Sequence, residues 1–395
     1  MTTFSAPPFR LSDQERLDAM RLARTPGVGP INFSRLLCQY GSPTAALSAL
    51  PERMRQAGRL DLPVIPSANQ MADEVETLRK MGGNVLIRGD ANYPLMLSFI
   101  KDAPPVLFVQ GDPAKLSLRS VGIVGARNAS AAGIRMAESL SAELADSKIC
   151  VVSGLARGID SAAHEAALYP GLTAAAVAGG LDHVYPPENA KLQASIAERG
   201  CLVTEAPLGT VPQARHFPRR NRLIAGISLG CVVVEAALHS GTLITASLAI
   251  SYDREVYAVP GSPLDPRSRG GNELLRRGAT LTENVQDILS CLPFELPVPL
   301  SPPWVKQPHQ PGILQGFSEP YTAWNVSTEN HWEDPDLVLS EVLPLLSMTP
   351  VTVDEVMRRC QFSVSAVLST LTELELGGVV EFVPGGRVAL QPNRK

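Results

Sequence analysis

Lys148–Ala167 reads KICVVSGLARGIDSAAHEAA: an apolar run, a turn bounded by Gly154 and Gly158, and then a helical pattern. The valines favour a strand, and the glycines allow the chain to reverse. Asp160 stands where an acid satisfies the first donors of a helix. The segment is therefore one strand–turn–helix unit, and the fold follows from how often the unit recurs. From Ser120 to about Ser290 the strands VGIVG, KICVV, TAAAVA, CLVTEAP, CVVVEAA and EVYAVPG alternate with helical stretches at Ala131–Leu144, Ile159–Leu168, Asn189–Arg199, Asn221–Ile227, Thr242–Asp253 and Asn272–Arg277. Strict alternation implies an α/β, doubly wound and mostly parallel sheet with helices on both faces. In such sheets ligands bind beyond the carboxyl ends of the strands.

The flanks read differently. Leu11–Leu78 has helical spacing, with a tight turn at Pro26–Pro30 between two helices. Asn84–Gln110 is a connector with one or two strands. Prolines crowd Pro293–Pro311, and the polar stretch that follows to Asp334 completes a linker. Beyond it, three helical patterns and two short strands around Pro384–Gly386 suggest a winged helix. Four segments result: a helical domain at 1–82, the α/β domain at 83–291, a Pro-rich linker at 292–334 and a winged-helix-like domain at 335–395.

Composition narrows the class. The 395 residues carry a formal net charge of -4, with 45% hydrophobic and 19% charged residues, as in an ordinary water-soluble protein. Any basic site must then be local. The six cysteines form no C-x-x-C pair and read as reduced core residues of a cytoplasmic protein. Neither a leader nor a membrane span is expected.

Loop chemistry comes next. GARNAS (Gly125–Ser130), SGLARGID (Ser153–Asp160), GGLDHVYPPEN and HSGTLITA (His239–Ala246) follow four of the strands. Three of them place glycine and hydroxyl residues before a helix, where free N–H groups and the helix dipole favour an anion. The first turn offers G-x-x-G only, Ser153 stands where a ribose-binding acid is expected, and no Walker sequence occurs. A nicotinamide cofactor and a P-loop are thereby disfavoured. No cofactor and no metal site are expected.

ARHFPRRNRLIAG (Ala214–Gly226) holds Arg215, Arg219, Arg220 and Arg222 within eight residues, with His216 and Phe217 interleaved. Guanidiniums match phosphate oxygens, and an exposed ring stacks on an unpaired base. The bland reading is a solvated helix start with paired arginines and a buried Phe217. A nucleotide-processing enzyme on the same sheet, using Glu205 and Glu235, is the competing class. Against it, His164 and Glu165 are adjacent in one helix and face different ways, so no nucleophile and base assemble from local spacing. A transcription factor acting through the C-terminal domain is disfavoured, because the expected recognition helix Phe362–Leu376 has no Lys or Arg.

VGIVGARNAS, SGLARGIDSAAHEAAL, AVAGGLDHVYPPEN, HFPRRNRLIAGIS, VVVEAALHSGTLITASLA and EVYAVPGSPLDPRSRGGNELLRRGA resemble, in order and spacing, the DNA-processing protein A family (DprA, also called Smf), over about Asn84–Leu289. The resemblance implies a Rossmann-like domain, an N-terminal domain of the sterile-alpha-motif type and a C-terminal winged-helix-like domain. It also implies a non-enzymatic protein of natural transformation, acting as a homodimer through the Rossmann-like domain. Such a protein binds single-stranded DNA, protects it and loads RecA on it.

Carried over by position, the DNA-binding residues are Gly125, Ala126 and Arg127 in the first loop and Ser153, Gly154 and Arg157 in the second. Arg215 and Phe217, then Arg220, Asn221 and Arg222, match the arginine motif. Ser240, Gly241 and Thr242 match the last loop. Ala126 replaces a hydroxyl residue usual in the family, which removes one hydrogen bond of about 1 kcal/mol. Either Arg215 or His216 takes the place of a basic residue before the F-P pair.

Overall fold

The computed structural model describes residues 11–56, 64–238, 240–296, 335–360, 362, 367, 370–371, 374–375, 379–383 and 387–391. The expected linker from 297 onward, His239, the turn Pro384–Gly386 and most of the expected helix Phe362–Leu376 lie outside the described residues. The chain forms two compact units, each discontinuous in sequence: Met1–Ala23 with Pro66–Pro302, and Arg24–Ile65 with Pro303–Lys395.

The first unit is built on a nine-stranded sheet of β1 (Gly83–Ile87), β2 (Val106–Gly111), β3 (Ser120–Val124), β4 (Cys150–Ser153), β5 (Thr173–Ala176), β6 (Cys201–Thr204), β7 (Gly230–Val233), β8 (Glu255–Ala258) and β9 (Thr280–Leu281). Their spatial order is β1-β2-β6-β5-β4-β3-β7-β8-β9. Neighbours from β6 to β9 are parallel, and the β1–β2 hairpin adds an antiparallel edge to β6. The chain winds outward from β3 to β6 and then returns to place β7 on the other side of β3. That reversal is the topological switch point.

Around the sheet lie α1 (Asp13–Arg24), α4 (Ala68–Lys80), α5 (Leu95–Ser98), α6 (Ala131–Asp146), α7 (Ile159–Leu168), α8 (Ala190–Arg199), α9 (His216–Ile227), α10 (Thr242–Ser251), α11 (Arg269–Arg276) and α12 (Val285–Leu289). Alternate strand residues feed two cores: Val152, Ala174, Ala176, Val203 and Val233 on one face, Val121, Ile123, Val151 and Val232 on the other. Burial on both faces is why these strands read as continuous apolar runs. Cys150, Cys201, Cys231 and Cys360 are free and buried, whereas Cys38 and Cys291 are exposed and so are not the core residues expected of all six. Burial pushes the Cys150 and Cys231 thiols up to about 12, which leaves them protonated and unreactive. Among the described residues no helix is long and apolar enough to cross a membrane.

One helix departs from expectation in a way that matters. α9 begins at His216, five residues before the expected Asn221. Pro218 falls in its first turn, where a missing N–H costs nothing. The arginine segment is therefore helical, and successive residues turn by about 100°. Neighbours in sequence end on different sides.

The second unit combines α2 (Pro30–Tyr40) and α3 (Pro43–Gln56) with α13 (Pro335–Val342), β10 (Val351–Thr352), α14 (Val353–Arg359), β11 (Val380–Val383) and β12 (Arg387–Leu390). Its three strands pair antiparallel in the order β10-β12-β11. Val338, Val342, Val356, Leu371, Val380 and Val388 share one core. Asn32 of α2 donates through Nδ2 to Gly27 O at 3.3 Å and to Glu375 Oε2 at 3.1 Å.

Candidate nucleic-acid interface

The loops after β3, β4 and β5 meet the start of α9 around a cleft of about 280 Å³. Arg127 and Asn128 come from the first loop, Gly154–Arg157 from the second, Tyr185 and Pro186 from the third, and Phe217 from α9. This is the carboxyl edge of the parallel strands, where helix-forming sequence begins after each glycine turn.

The turn after β4 is closed from within. Asp160 in the first turn of α7 reaches back and accepts from Gly154 N–H at 3.1 Å. The carboxyl thus occupies the turn from within. Burial raises its pKa, while the nearby Arg220 opposes that shift. Ser153 is fully buried, and its hydroxyl donates to Ile123 O at 2.5 Å. Gly158 is at φ +74°, where its missing Cβ lets the turn pass close to the Arg127 carbonyl. What remains outside is Arg157, exposed, with its guanidinium 3.4 Å from Glu188 in a pair more than half open to solvent on both sides.

At the switch point the helix end is likewise occupied by the protein itself. Glu235, after β7, accepts from Ser130 N–H at 3.0 Å and from Ser130 Oγ at 2.5 Å at the start of α6. The last loop docks beside it, because Thr242 Oγ1 donates to Gly125 O at 3.1 Å. Ser240 Oγ accepts from Thr242 N–H at 3.2 Å, and Gly241 is exposed. No acid fills the start of α10 in this way among the described residues.

The cleft's own chemistry is basic and aromatic. The guanidinium of Arg127 lies 5.2 Å from the centroid of the Phe217 ring, and Tyr185 packs edge-on against Phe217 at 5.5 Å. Tyr185 remains 42% exposed, enough to offer a ring face to a ligand.

Residues 84–293 match the family model of DNA recombination-mediator protein A. The chain belongs to that family. Residues 13–77 match a DprA-like N-terminal HHH domain, and 332–386 match a DprA winged helix domain. Protein Smf of Escherichia coli (strain K12) is 38% identical over 314 residues, covering 78% of this chain and 77% of that protein. The DNA processing protein DprA of Bacillus subtilis (strain 168) is 42% identical over 217 residues, 54% of this chain and 73% of its own length. The X-ray structure of DprA from Streptococcus pneumoniae superposes with a TM-score of 0.56 at 32% identity, over 72% of this chain and 95% of that one.

Within this DNA recombination-mediator fold, the expected contacts fall into two groups. Arg127, Gly154, Arg157 and Phe217 meet in the cleft, with Ala126 half-buried beneath it, its carbonyl accepting from Ile159 N–H at 3.3 Å. Arg220 lies under the cleft floor, 5% exposed, donating to Gly154 O and to Ala176 O. Burial lowers its pKa, Asp160 opposes the shift and Arg127 adds to it. A Cβ at Gly154 would collide with that guanidinium, so glycine is what lets the arginine pass. Asn221 is buried and donates to Gly241 O at 3.4 Å.

Arg222 turns away altogether. It pairs with Glu205, and it donates to Asp102 O at 2.9 Å. Burial works against its charge, but Glu205 and Asp102 outweigh burial and hold its pKa above the ordinary arginine value. Arg215 is exposed and does not line the cleft. Tyr185, Asn128 and Pro186 went unnoticed in sequence, and the available signal was an aromatic residue beside two prolines in a glycine-rich loop at the carboxyl edge.

Proposed function

We propose that the cleft binds the backbone and bases of single-stranded DNA, with Arg127 and Arg157 as phosphate ligands and Phe217 and Tyr185 as the stacking wall. Ser240, Gly241 and Thr242, joined to the first loop through Gly125, extend the phosphate track. On this reading the protein is a non-enzymatic mediator that protects incoming single strands and loads RecA on them during natural transformation in the bacterial cytoplasm. It acts as a homodimer through the Rossmann-like segment at 83–291, flanked by the helical segment 1–82, the linker 292–334 and the winged segment 335–395. The names of its relatives, DNA processing protein and recombination mediator, support the assignment.

The observation that carries it is the pairing of two exposed guanidiniums with two aromatic rings in one cleft. Phosphate replaces Glu188 at Arg157 at little cost, since exposed ion pairs are worth about 0–1 kcal/mol. The competing enzyme reading loses its two acids: Glu205 is committed to Arg222 and Glu235 to the start of α6.

Fluorescence anisotropy with labelled oligo-dT and its duplex across a salt series tests the proposal. Wild type is expected to prefer the single strand with a steep salt slope. Arg127→Ala/Arg157→Ala should make log K fall less steeply by about 0.7 per lost phosphate contact. Equal binding of duplex and single strand, or a double variant that binds as wild type, would overturn it.

A further inference from the structure

We propose that His164 and Asn189 are positioning residues that hold the turn after β4 in its binding conformation before DNA arrives; this rests on the DNA-binding reading above. Leu155, in the wall of the cleft, has φ +55°, a left-handed conformation that a leucine keeps only where its surroundings enforce it. Two side chains from behind the cleft enforce it. His164, fully buried in α7, accepts through Nε2 from Leu155 N–H at 3.3 Å. Its Nδ1 lies 2.7 Å from Thr173 Oγ1, which donates to Val151 O at 3.0 Å. Thr173 spends its only hydrogen on that carbonyl, so Nδ1 must be the donor and Nε2 the acceptor. The ring is thus a strut between strands β4 and β5 and the turn. From the other side, Asn189 Nδ2 donates to Leu155 O at 2.9 Å and to Ser161 Oγ at 2.9 Å.

Both polar groups of the Leu155 backbone are therefore held by side chains outside the cleft wall, and the Leu155 side chain is completely buried. Two residues later the chain delivers Arg157. A turn fixed in advance spares the complex the cost of ordering it on binding. Without the strut, the same phosphate contacts form in the complex, but from a looser free state. Affinity then falls while the number of phosphates neutralised stays the same.

The test compares His164→Gln, His164→Leu and Asn189→Ala with wild type, measuring oligo-dT affinity over a salt series and thermal melting. Glutamine offers an acceptor near the Nε2 position, whereas leucine fills the space and leaves the Leu155 N–H buried without a partner. His164→Leu should bind about tenfold more weakly, the size expected for one unsatisfied buried donor, with the salt slope of wild type. His164→Gln should stay within about threefold of wild type even if it melts as early as the leucine variant. Asn189→Ala, at a half-buried site, should weaken binding severalfold and keeps the test informative if His164→Leu does not fold. The inference is overturned if the leucine or alanine variants bind as wild type, if glutamine loses as much as leucine, or if the salt slope drops as it does for Arg157→Ala. Failure of the DNA reading itself would look different: wild type would then show no preference for the single strand.

Discussion

Arg127 and Arg157 differ from Arg220 and Arg222 in exposure and in what their donors meet, although Arg127 and Arg220 both lie against the Phe217 ring. The first two stand exposed on loops at the carboxyl edge, one over an aromatic ring and the other in an open pair with Glu188. The second two lie on a helix wall, with donors spent on Gly154 O and Ala176 O in one case and on Glu205 and Asp102 in the other. An arginine cluster in sequence is therefore a statement about charge and not about direction. A helix distributes its residues around an axis, and burial forces each inward guanidinium to find acceptors of its own.

The sharpest way to break this contrast is Arg220→Leu. The substitution leaves two carbonyls and the buried Asp160 without their cation, and removing one partner of a buried charged cluster costs about 3–5 kcal/mol. Denaturant unfolding should show a loss of that order. An unchanged midpoint, with DNA binding lost, would instead place Arg220 among the direct contacts.

Next in size is an acid effect that belongs to the clamped side alone. Burial, followed by the charge of Arg220, depresses the His164 pKa to about 3 from an ordinary 6.5. Between these values the unfolded chain binds a proton that the folded chain refuses. Stability is thus fully present above pH 6.5 and is lost as pH falls toward 3, by up to about 1.4 kcal/mol per pH unit. The raised pKa of Asp160 works in the opposite sense, since there the folded chain takes up a proton first. Subtracting the pH profile of His164→Gln from that of wild type removes the Asp160 contribution, which both share. The difference should slope below pH 6.5. A flat difference would mean that the imidazole is charged or solvated in the fold.

Much of this architecture was legible. The apolar runs and glycine turns located β3 to β8 but not the two-residue β9, which is too short to show a pattern, and α7 occupies the expected Ile159–Leu168 because a positive-φ glycine and an acid mark its start. The cleft was legible in part, since Phe217 sits in a segment whose chemistry points to phosphate and base, and the family resemblance pointed to Arg127 and Arg157. What escaped had two physical causes. The helical start was placed at Asn221 although α9 begins at His216, so the direction of each arginine in the cluster was not readable. Partners distant in sequence were invisible: Glu235 capping Ser130, Asp102 and Glu205 around Arg222, and Glu375 beside Asn32. No local pattern announces a neutralising acid that arrives from another strand.

The smallest effect separates the two groups most cleanly. Arg222→Ala removes a guanidinium whose side chain is 12% exposed and whose acceptors are Glu205 and Asp102, so the variant should lose about 1–2 kcal/mol of stability. Its DNA affinity and salt slope should match wild type, because its guanidinium is committed to Glu205 and Asp102 and does not line the cleft proposed to hold DNA. Arg127→Ala should do the reverse, keeping the melting temperature and flattening the salt slope. Were Arg222→Ala to flatten the slope instead, Glu205 and Asp102 would have to release the guanidinium to a phosphate. Their two negative charges would then oppose the same DNA that the arginine attracts. That electrostatic conflict is the reason to place the strand along Arg127 and Arg157.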